Sequence, residues 1–313
     1  MKNISDVLVL ELTNVCDLNC VFCTTNKKID SIGIELLEHI IKENSKLENP
    51  IKTFELGWNG NPFRYKKIRK ILELFQYYNL NSNIVTNGLN LKDTLVFFED
   101  ELLKNVHFTI FFDSSNEEKN DKMMGAKKAF KKSLESLEYL KDRNLRYDIL
   151  MRVNSLNYNE IEQILEIAKF YHCNLLVPME TFPFVNDRRL LLTDEMKSEV
   201  ITKIDKLRSF GEPIHKTIQF EKPEGNCTYL RKKRLFVNSK GELAFCHFLS
   251  SLEKTKILEI KKKKLSKVTE INEKVRDEFV RRKKKELMKW KPPRNTASPC
   301  SYCLHYFGMD AKW

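Results

Sequence analysis

Features that mark membrane and secreted proteins are missing from this 313-residue sequence. It has no apolar run that approaches the roughly 18 residues of a membrane-spanning helix. The first residues, MKNISDVLVLEL, contain only a short apolar stretch that Glu11 interrupts, which excludes a secretory signal peptide. The sequence also lacks internal repeats. We therefore expect a cytoplasmic protein without a membrane partner, in which eight cysteines are more often metal ligands than disulfide partners.

Positive charge is concentrated near the C-terminus. The net charge is +12, and residues 254–291 carry 16 Lys and Arg against 6 Asp and Glu. A solvated helix face is the favoured interpretation. A platform for phosphate, nucleic acid or an acidic peptide is the alternative. No aromatic residues interleave the Lys and Arg runs, so nucleic acid is possible as a partner but not favoured.

Strand-like and helix-like segments alternate over about the first 180 residues. Helical periodicity is clear where apolar residues recur at i, i+3, i+4 and i+7, as from Ile68 to Phe75 and from Ile161 to Ala168. The β-prone segments are residues 7–12, 53–58, 83–87, 106–112, 147–153 and 174–179. Six such βα units predict an α/β fold with a parallel sheet, curled into a barrel or a partial barrel.

The pattern changes in the last third of the chain. A charged helix with one apolar face runs from about Met196 to Leu207. Residues 234–246, RLFVNSKGELAFC, then predict a β-hairpin, because NSKG between two β-prone runs suits a tight turn. A long basic helix is predicted over 265–288, where Pro292 and Pro293 follow its end.

Three closely spaced cysteines, Cys16, Cys20 and Cys23, follow the first predicted strand as C-x3-C-x2-C. A structural zinc site normally has four ligands, and no fourth cysteine lies beside these three. Three thiolates can instead hold three irons of a four-iron cluster and leave one iron open. NGNP (59–62), TNG (86–88) and FDSS (112–115) follow later strands, so all four segments are predicted at one rim of the barrel.

Together, CDLNCVFC, GWNGNP, TNG and the six βα units resemble the radical S-adenosylmethionine (SAM) enzymes. The resemblance covers about the first 185 residues and implies that family's partial (β/α)6 TIM-like barrel. It implies that Cys16, Cys20 and Cys23 bind a 4Fe-4S cluster whose open iron is chelated by SAM. An electron, from a donor such as a ferredoxin or flavodoxin, then cleaves SAM to a 5′-deoxyadenosyl radical that abstracts a substrate hydrogen.

The resemblance also implies a set of SAM contacts. Phe22 would lie along the adenine. Residues 59–62 stand where the family has Gly-Gly-Glu-Pro, and two of the four differ, so Asn61 offers an amide oxygen in place of a carboxylate. For Arg152 an ion pair at the barrel end is the alternative. The implied cofactor-binding residues are Phe22, Asn59, Gly60, Asn61, Pro62, Thr86, Asn87, Asp113, Ser114 and Arg152.

A second group of four cysteines comprises Cys227, Cys246, Cys300 and Cys303. Their chemistry alone suits zinc and a fully ligated 4Fe-4S cluster equally. GELAFC and the final CxxC are similar to the Twitch domain, the short relative of the SPASM domain, which implies an auxiliary 4Fe-4S cluster. The expected organisation is a barrel over 1–190, a bridging helix and linker over 191–225, and a hairpin-plus-helix Twitch-like domain over 226–313.

The remaining cysteine and two histidines have simpler interpretations. Cys173 precedes the sixth strand at its N-terminal end, away from the rim, and is expected to be a buried structural thiol. His247 and His305 are expected to neighbour the auxiliary site without being ligands, because four thiolates already suffice.

The resemblance favours modification of a ribosomally made peptide or protein. No N-terminal winged-helix module for leader capture is recognisable, so the basic helix would have to capture the substrate. Dehydrogenation of a small molecule, such as an amino sugar, and nucleic-acid modification are the alternatives. A non-enzymatic metal sensor is a further alternative for the function, but such a protein would not require the NGNP and TNG loops at the rim.

Overall fold

Most of the chain forms one mixed α/β unit in the computed structural model, which describes residues 6–23, 30–181, 187–217, 227, 229, 234–250, 255–287 and 303. The side chains of residues 283–287 are not described. Within these ranges, nine strands form one open sheet in the order β6-β5-β4-β3-β2-β1-β7-β8-β9. The strands are β1 (Val7–Leu10), β2 (Thr53–Leu56), β3 (Asn81–Thr86), β4 (Val106–Phe111), β5 (Arg146–Val153), β6 (Leu176–Glu180), β7 (Arg234–Val237), β8 (Glu242–Ala244) and β9 (Lys256–Glu259).

The first six strands confirm the predicted parallel sheet, since β1 to β6 pair in sequential order and in parallel. Helices lie between successive strands, as parallel pairing requires. The helices are α1 (Ile34–Ser45), α2 (Ile68–Tyr77), α3 (Leu91–Leu95), α4 (Asp100–Leu103), α5 (Glu117–Met124), α6 (Ala129–Asp142), α7 (Ile161–Phe170), α8 (Asp194–Ser209) and α9 (Leu265–Leu287). None of the helices in the described ranges is long and apolar enough to cross a membrane.

The buried residues of the helices follow the periodicity seen in the sequence. Helix α2 buries Ile68, Ile71, Leu72 and Phe75, which form one stripe against the sheet. Helix α7 buries Ile161, Ile164, Leu165 and Ala168 in the same way. Cys173 is also buried in this core, as expected for a structural thiol.

The C-terminal hairpin is present, but its partner is not one that the sequence pattern indicates. Strands β7 and β8 pair antiparallel, as predicted from NSKG. Strand β7 also pairs in parallel with β1, with Val7 opposite Arg234 and Leu10 opposite Val237. The hairpin therefore continues the barrel sheet past β1, and β7 lies beside the strand that leads into the loop with Cys16, Cys20 and Cys23, here called the cysteine loop.

The turn after α5 is packed against the cysteine loop. Gly125 ends α5 with a φ of 63°. A Cβ at this position would lie closer to the carbonyl oxygen of Asn19 than van der Waals contact allows. Gly211 has a similar φ of 78°, but a Cβ there would have no heavy atom within 4 Å. Alanine substitutions at these two glycines therefore distinguish the energetic cost of the left-handed backbone from the additional cost of a steric clash.

We expect Gly125→Ala to destabilise the fold more than Gly211→Ala. Both alanines adopt a left-handed conformation at a cost of about 1–2 kcal/mol. Only Gly125→Ala also displaces the backbone near Asn19, which adds roughly 1 kcal/mol or more. Urea unfolding monitored by circular dichroism measures both variants. Equal losses of unfolding free energy would show that α5 does not constrain the cysteine loop.

Candidate active site

The cysteine loop begins at the carboxyl end of β1 and is closed at its base by hydrogen bonds. The Asn14 backbone N–H donates to the Asp30 carbonyl oxygen (3.1 Å), and the Asp30 N–H donates to Asn14 Oδ1 (2.9 Å). Thr13 Oγ1 donates to the same Asp30 carbonyl (2.9 Å). The ends of the loop are therefore fixed together, as a site built on a loop requires.

The cysteines themselves are held against the end of α5. The N–H groups of Asn19 and Val21 donate to the carbonyl oxygens of Met124 (3.2 Å) and Met123 (3.0 Å). The Cys23 N–H donates to the Cys20 carbonyl (3.0 Å), which folds the C-x2-C segment into a turn. These bonds leave all three cysteines half-buried at the rim of the barrel.

The three thiols lie close enough to influence one another electrostatically. Burial raises the pKa of Cys20 to about 12; Arg152 lowers it, and Asp113, Cys16 and Cys23 raise it further. Such a thiol becomes a thiolate only when a cation stabilises the charge, which is what a metal ligand requires. Within the described ranges, no three His, Cys, Asp or Glu side chains are grouped tightly enough to share one metal ion. In a four-iron cluster each cysteine binds a different iron, so one point of convergence is not needed.

An open cleft lies directly in front of these cysteines. It contains about 950 Å³ of space, a figure that includes space open to solvent. Predicted site residues that line it are Cys16, Cys20, Cys23, Phe22, Asn59, Gly60, Asn87 and Arg152. Gly60 packs on the loop base: with a φ of 68°, any Cβ would overlap the Thr13 carbonyl oxygen. An open cleft lined by three thiols fits a site for an iron–sulfur cluster and a small molecule.

Other predicted residues lie in the layer below the cleft and do not line it. Asn61, Pro62, Thr86, Asp113 and Ser114 are buried there.

Asn61 connects three of the rim loops. Its amide Nδ2 donates to Asp17 Oδ2 (3.1 Å) and to Asn87 Oδ1 (3.2 Å). Its Oδ1 accepts from Thr86 Oγ1 (2.9 Å) and from the Phe63 N–H (3.3 Å). The amide oxygen expected to receive the ammonium of SAM is thus fully occupied within the protein. Asn61 therefore supports the rim loops, and its contact with SAM stays a prediction.

Asn87 reaches from this layer to the cysteines. Its Nδ2 lies 3.6 Å from Cys16 Sγ and donates to it, while its Oδ1 accepts from the Leu89 N–H (3.1 Å). An N–H···S bond stabilises negative charge on a ligating sulfur. The TNG segment therefore contributes directly to the environment of Cys16.

Arg152 is both ion-paired and exposed to the cleft. Its Nε lies 3.2 Å and 3.1 Å from the two oxygens of Asp113, which is fully buried, and its backbone N–H donates to Asp113 Oδ1 (2.8 Å). The guanidinium lies between two rings, 4.0 Å from the centroid of Phe22 and 4.2 Å from that of Phe111. The ion pair, which was the alternative for Arg152, is present, and contact of Arg152 with SAM stays a prediction. Asp113 orients Arg152, and Arg152 occupies one face of Phe22. Ser114 donates instead to Glu160 Oε2 (2.7 Å).

Asn59 links the barrel to the C-terminal residues. Its Nδ2 donates to Glu11 Oε2 (2.7 Å), to Ser250 Oγ (2.9 Å) and to the His247 carbonyl (3.1 Å). Ser239 Oγ donates to the other Glu11 oxygen (2.6 Å). The NGNP segment thus holds the hairpin at the mouth of the barrel.

The opposite wall of the cleft contains residues that the sequence did not single out. Trp58 adopts a φ of 75°, rare for a residue with a side chain, and its ring stacks on the His247 imidazole with centroids 4.3 Å apart. Strained conformations of this kind concentrate at functional sites. The Trp58 indole N–H donates to Glu55. In the sequence, Trp58 directly precedes the NGNP loop, and this position is the signal that could have identified it as a cleft residue.

The ring orientation of His247 follows from its neighbours. Tyr229 Oη lies 2.8 Å from His247 Nδ1 and accepts a hydrogen bond from Arg234, which is paired with Glu55. This hydrogen bond fixes the orientation of the imidazole ring. Burial and the nearby Arg234 hold the pKa of His247 well below its usual range. Nε2 is buried and has no hydrogen-bond partner among the described residues, and Thr181 Oγ1 in the same cleft shares this property.

The second cysteine group is partly described. Cys227 and Cys246 pack against one small apolar cluster with Val9, Tyr229 and Phe236. Burial raises the pKa of Cys246 to about 12, and the neighbouring Cys227 raises it further. Burial lowers the pKa of Arg276, while Cys246, Cys227, Tyr229 and Cys303 raise it.

Cys303, like Cys227 and Cys246, thus acts on Arg276 electrostatically. Cys300 and His305 lie outside the described residues. Three thiols of the second group therefore act on one buried arginine.

A sequence model described as the radical SAM superfamily matches residues 10–168, which is half of the chain and includes all three loop cysteines. The chain belongs to the radical SAM superfamily. This confirms the resemblance drawn from CDLNCVFC and the rim loops. Membership implies a 4Fe-4S cluster and SAM, and the residues at the cleft fit both.

Two curated radical SAM relatives match part of the chain. The AdoMet-dependent heme synthase of Methanosarcina barkeri (strain Fusaro / DSM 804) is 27% identical over 190 residues, which are 57% of this chain and 52% of that protein. The sporulation killing factor maturation protein SkfB of Bacillus subtilis (strain 168) is 26% identical over 161 residues, which are 50% of this chain and 38% of that protein. The chain thus matches about half or less of the length of these relatives.

Solved structures show the same radical SAM fold. The structure of native anSMEcpe with bound AdoMet has a TM-score of 0.70 at 18% identity and covers 87% of this chain and 82% of that one. Streptococcus suis SuiB bound to the precursor peptide SuiA has a TM-score of 0.65 at 12% identity and covers 82% and 62%. The partial TIM barrel predicted from the sequence is confirmed, with an open sheet.

We expect Asp113→Asn to destabilise this radical SAM barrel by roughly 3 kcal/mol, because it leaves the Arg152 cation without its buried partner. Asp100→Asn is the matched control, since Asp100 pairs with Arg143 but is 79% exposed. Exposed pairs contribute at most about 1 kcal/mol. Urea unfolding at neutral pH measures both losses. A loss for Asp113→Asn no greater than that for Asp100→Asn would contradict the assigned role of the buried pair.

Proposed function

We propose that this protein is a radical SAM enzyme that abstracts a hydrogen from a ribosomally made peptide or protein. The observation that carries the proposal is the cleft itself, in which three thiols on a fixed loop face about 950 Å³ of space. When bound at these thiols, the cluster would supply the electron that cleaves SAM and generates a radical able to abstract hydrogen.

The chain's own residues have separable tasks in this proposal. Cys16, Cys20 and Cys23 would hold the cluster, and Asn87 stabilises charge on Cys16 through its N–H···S bond. Arg152 supplies positive charge near Cys20. Asn59 and Gly60 remain the candidates among residues 59–62 for contact with SAM, because they line the cleft.

The opposite wall supports binding of a substrate. Trp58, Phe248 and Met179 give it an apolar surface that excludes water. His247 Nε2 and Thr181 Oγ1 lack hydrogen-bond partners in this wall, and buried polar atoms of this kind are normally paired. A peptide group offers one hydrogen-bond donor and one acceptor, and either atom can pair with one of them.

The relatives support a peptide as the substrate class. SkfB is named as the maturation protein of sporulation killing factor, and the fold accommodates a peptide in the complex of SuiB with SuiA. A small-molecule substrate is the second candidate, favoured by the similarity to a heme synthase. An electron donor such as a ferredoxin or flavodoxin is proposed for either reaction.

We also propose an auxiliary 4Fe-4S cluster at Cys227, Cys246, Cys300 and Cys303, in a Twitch-like domain over residues 226–313. It is supported by the packing of Cys227 and Cys246 against one apolar cluster, and by the electrostatic effect of these two thiols and of Cys303 on Arg276. The basic helix α9 is not wholly solvated, because Val268, Arg276 and Phe279 are buried. Its capture of an acidic leader stays a prediction.

The decisive experiment is anaerobic turnover of the reconstituted, reduced protein. Candidate peptides and small molecules, uniformly deuterated, are incubated with SAM, and deuterium in 5′-deoxyadenosine is measured by mass spectrometry. Transfer from a peptide supports the proposal. Transfer from a small molecule and none from peptides would favour the second candidate.

We expect Cys16, Cys20 and Cys23 changed together to Ala to abolish 5′-deoxyadenosine formation and to halve the iron. The wild type should hold about eight irons per chain, from two four-iron clusters. Cys173→Ala is the matched control, because Cys173 is buried in the core away from the cleft. Undiminished SAM cleavage by the triple variant would refute the assignment of these cysteines.

Removal of the auxiliary thiols should have a different effect. Changing Cys246 and Cys303 to Ala should also reduce iron to about half, but SAM cleavage without substrate should persist because the first site is unchanged. Product formation should fail. Iron analysis and product detection by mass spectrometry measure both effects, and full iron with full product yield would exclude an auxiliary cluster.

A further inference from the structure

Arg276 is a fully buried cation in the middle of α9. Its guanidinium makes hydrogen bonds only to neutral acceptors among the described residues. Nε donates to Asn272 Oδ1 (2.7 Å), one Nη to the Tyr229 carbonyl (2.8 Å) and the other to the Phe245 carbonyl (2.8 Å). No carboxylate is among these partners.

A buried charge without a counter-charge is strongly unfavourable. Two other arginines near the cleft follow the usual rule, because Arg152 is paired with Asp113 and Arg234 with Glu55. Hydrogen bonds to carbonyls satisfy the donors of Arg276 but do not neutralise its charge. Among the described residues, the groups that can supply balancing negative charge are those that act on it electrostatically.

Those groups include the cysteines of the second group. Phe245, whose carbonyl accepts from Arg276, directly precedes Cys246, and Tyr229 lies two residues after Cys227. Arg276 therefore holds both cysteine-bearing segments through their backbones. Cys246, Cys227 and Cys303 are also among the groups that act on it electrostatically. Free thiols at neutral pH carry no charge, whereas thiolates bound to a metal centre carry net negative charge.

We propose that Arg276 is the internal counter-charge of the auxiliary site, balanced by cluster-bound thiolates of Cys227, Cys246 and Cys303. This rests on the auxiliary cluster proposed above. Reduction adds one negative charge to a cluster, and a fixed cation nearby stabilises the reduced form. Arg276 therefore raises the reduction potential of the auxiliary cluster and favours its acceptance of an electron.

The test separates the charge of Arg276 from its hydrogen bonds. In the background of Cys16, Cys20 and Cys23 changed to Ala, the auxiliary cluster is the remaining one, and its potential can be followed by EPR during an anaerobic redox titration of the full chain. Arg276→Gln removes the charge. Arg276→Lys keeps the charge, but its ammonium group cannot reproduce the three hydrogen bonds of the planar guanidinium. Arg282→Gln is the matched control, since Arg282 lies on the same helix and is exposed.

We expect Arg276→Gln to shift the midpoint potential to more negative values, and Arg276→Lys and Arg282→Gln to stay close to the parent. If Arg276→Gln prevents cluster assembly while Arg276→Lys retains the iron, the charge assignment is also supported. An unchanged potential in Arg276→Gln, or equal loss of iron in both Arg276 variants, would overturn it. Absence of iron from the parent itself would overturn the auxiliary cluster and this inference together, without affecting SAM cleavage at the first site.

Discussion

The buried carboxylate of Glu11 joins the three parts of the structure on which the cleft depends. It lies one residue beyond β1 and accepts hydrogen bonds from Asn59 in the NGNP loop and from Ser239 in the hairpin turn. Its own backbone N–H donates to Val237 at the end of β7 (2.9 Å). One side chain therefore fixes the exit of β1, from which the cysteine loop starts, relative to both walls of the cleft.

Local patterns were sufficient to predict much of the fold. Apolar periodicity located the six parallel strands and the helices between them, because burial against one sheet imposes it. The hairpin followed from the turn chemistry of NSKG, and the cysteine loop from its position after β1. The pairing of β7 with β1 could not be predicted in this way, since it joins segments more than 200 residues apart and depends on the complete sheet.

The candidate site likewise combines features that local sequence patterns predict with features that depend on long-range packing. The sequence identified the loops that form the rim and eight of the residues that line the cleft, but it did not separate these from predicted residues that are buried beneath it. Asn61 carries the motif position yet is buried as a connector, and Trp58, three residues earlier, forms part of the wall. Arg276 lies in a basic helix that the composition alone interprets as solvated. Which face a residue takes depends on long-range packing, so such roles are visible only in the assembled structure.

The parallel pairing of β1 with β7 has a consequence for folding. Strand β1 is made first, but its second neighbour is complete only at Val237. Until then, one edge of the apolar strand VLVL is unpaired. Exposed strand edges of this kind favour aggregation. Contacts between such distant segments also form slowly. During synthesis the cysteine loop is therefore anchored to an incomplete sheet, and the interval before β7 emerges is the stage at which the nascent chain most needs protection from other chains.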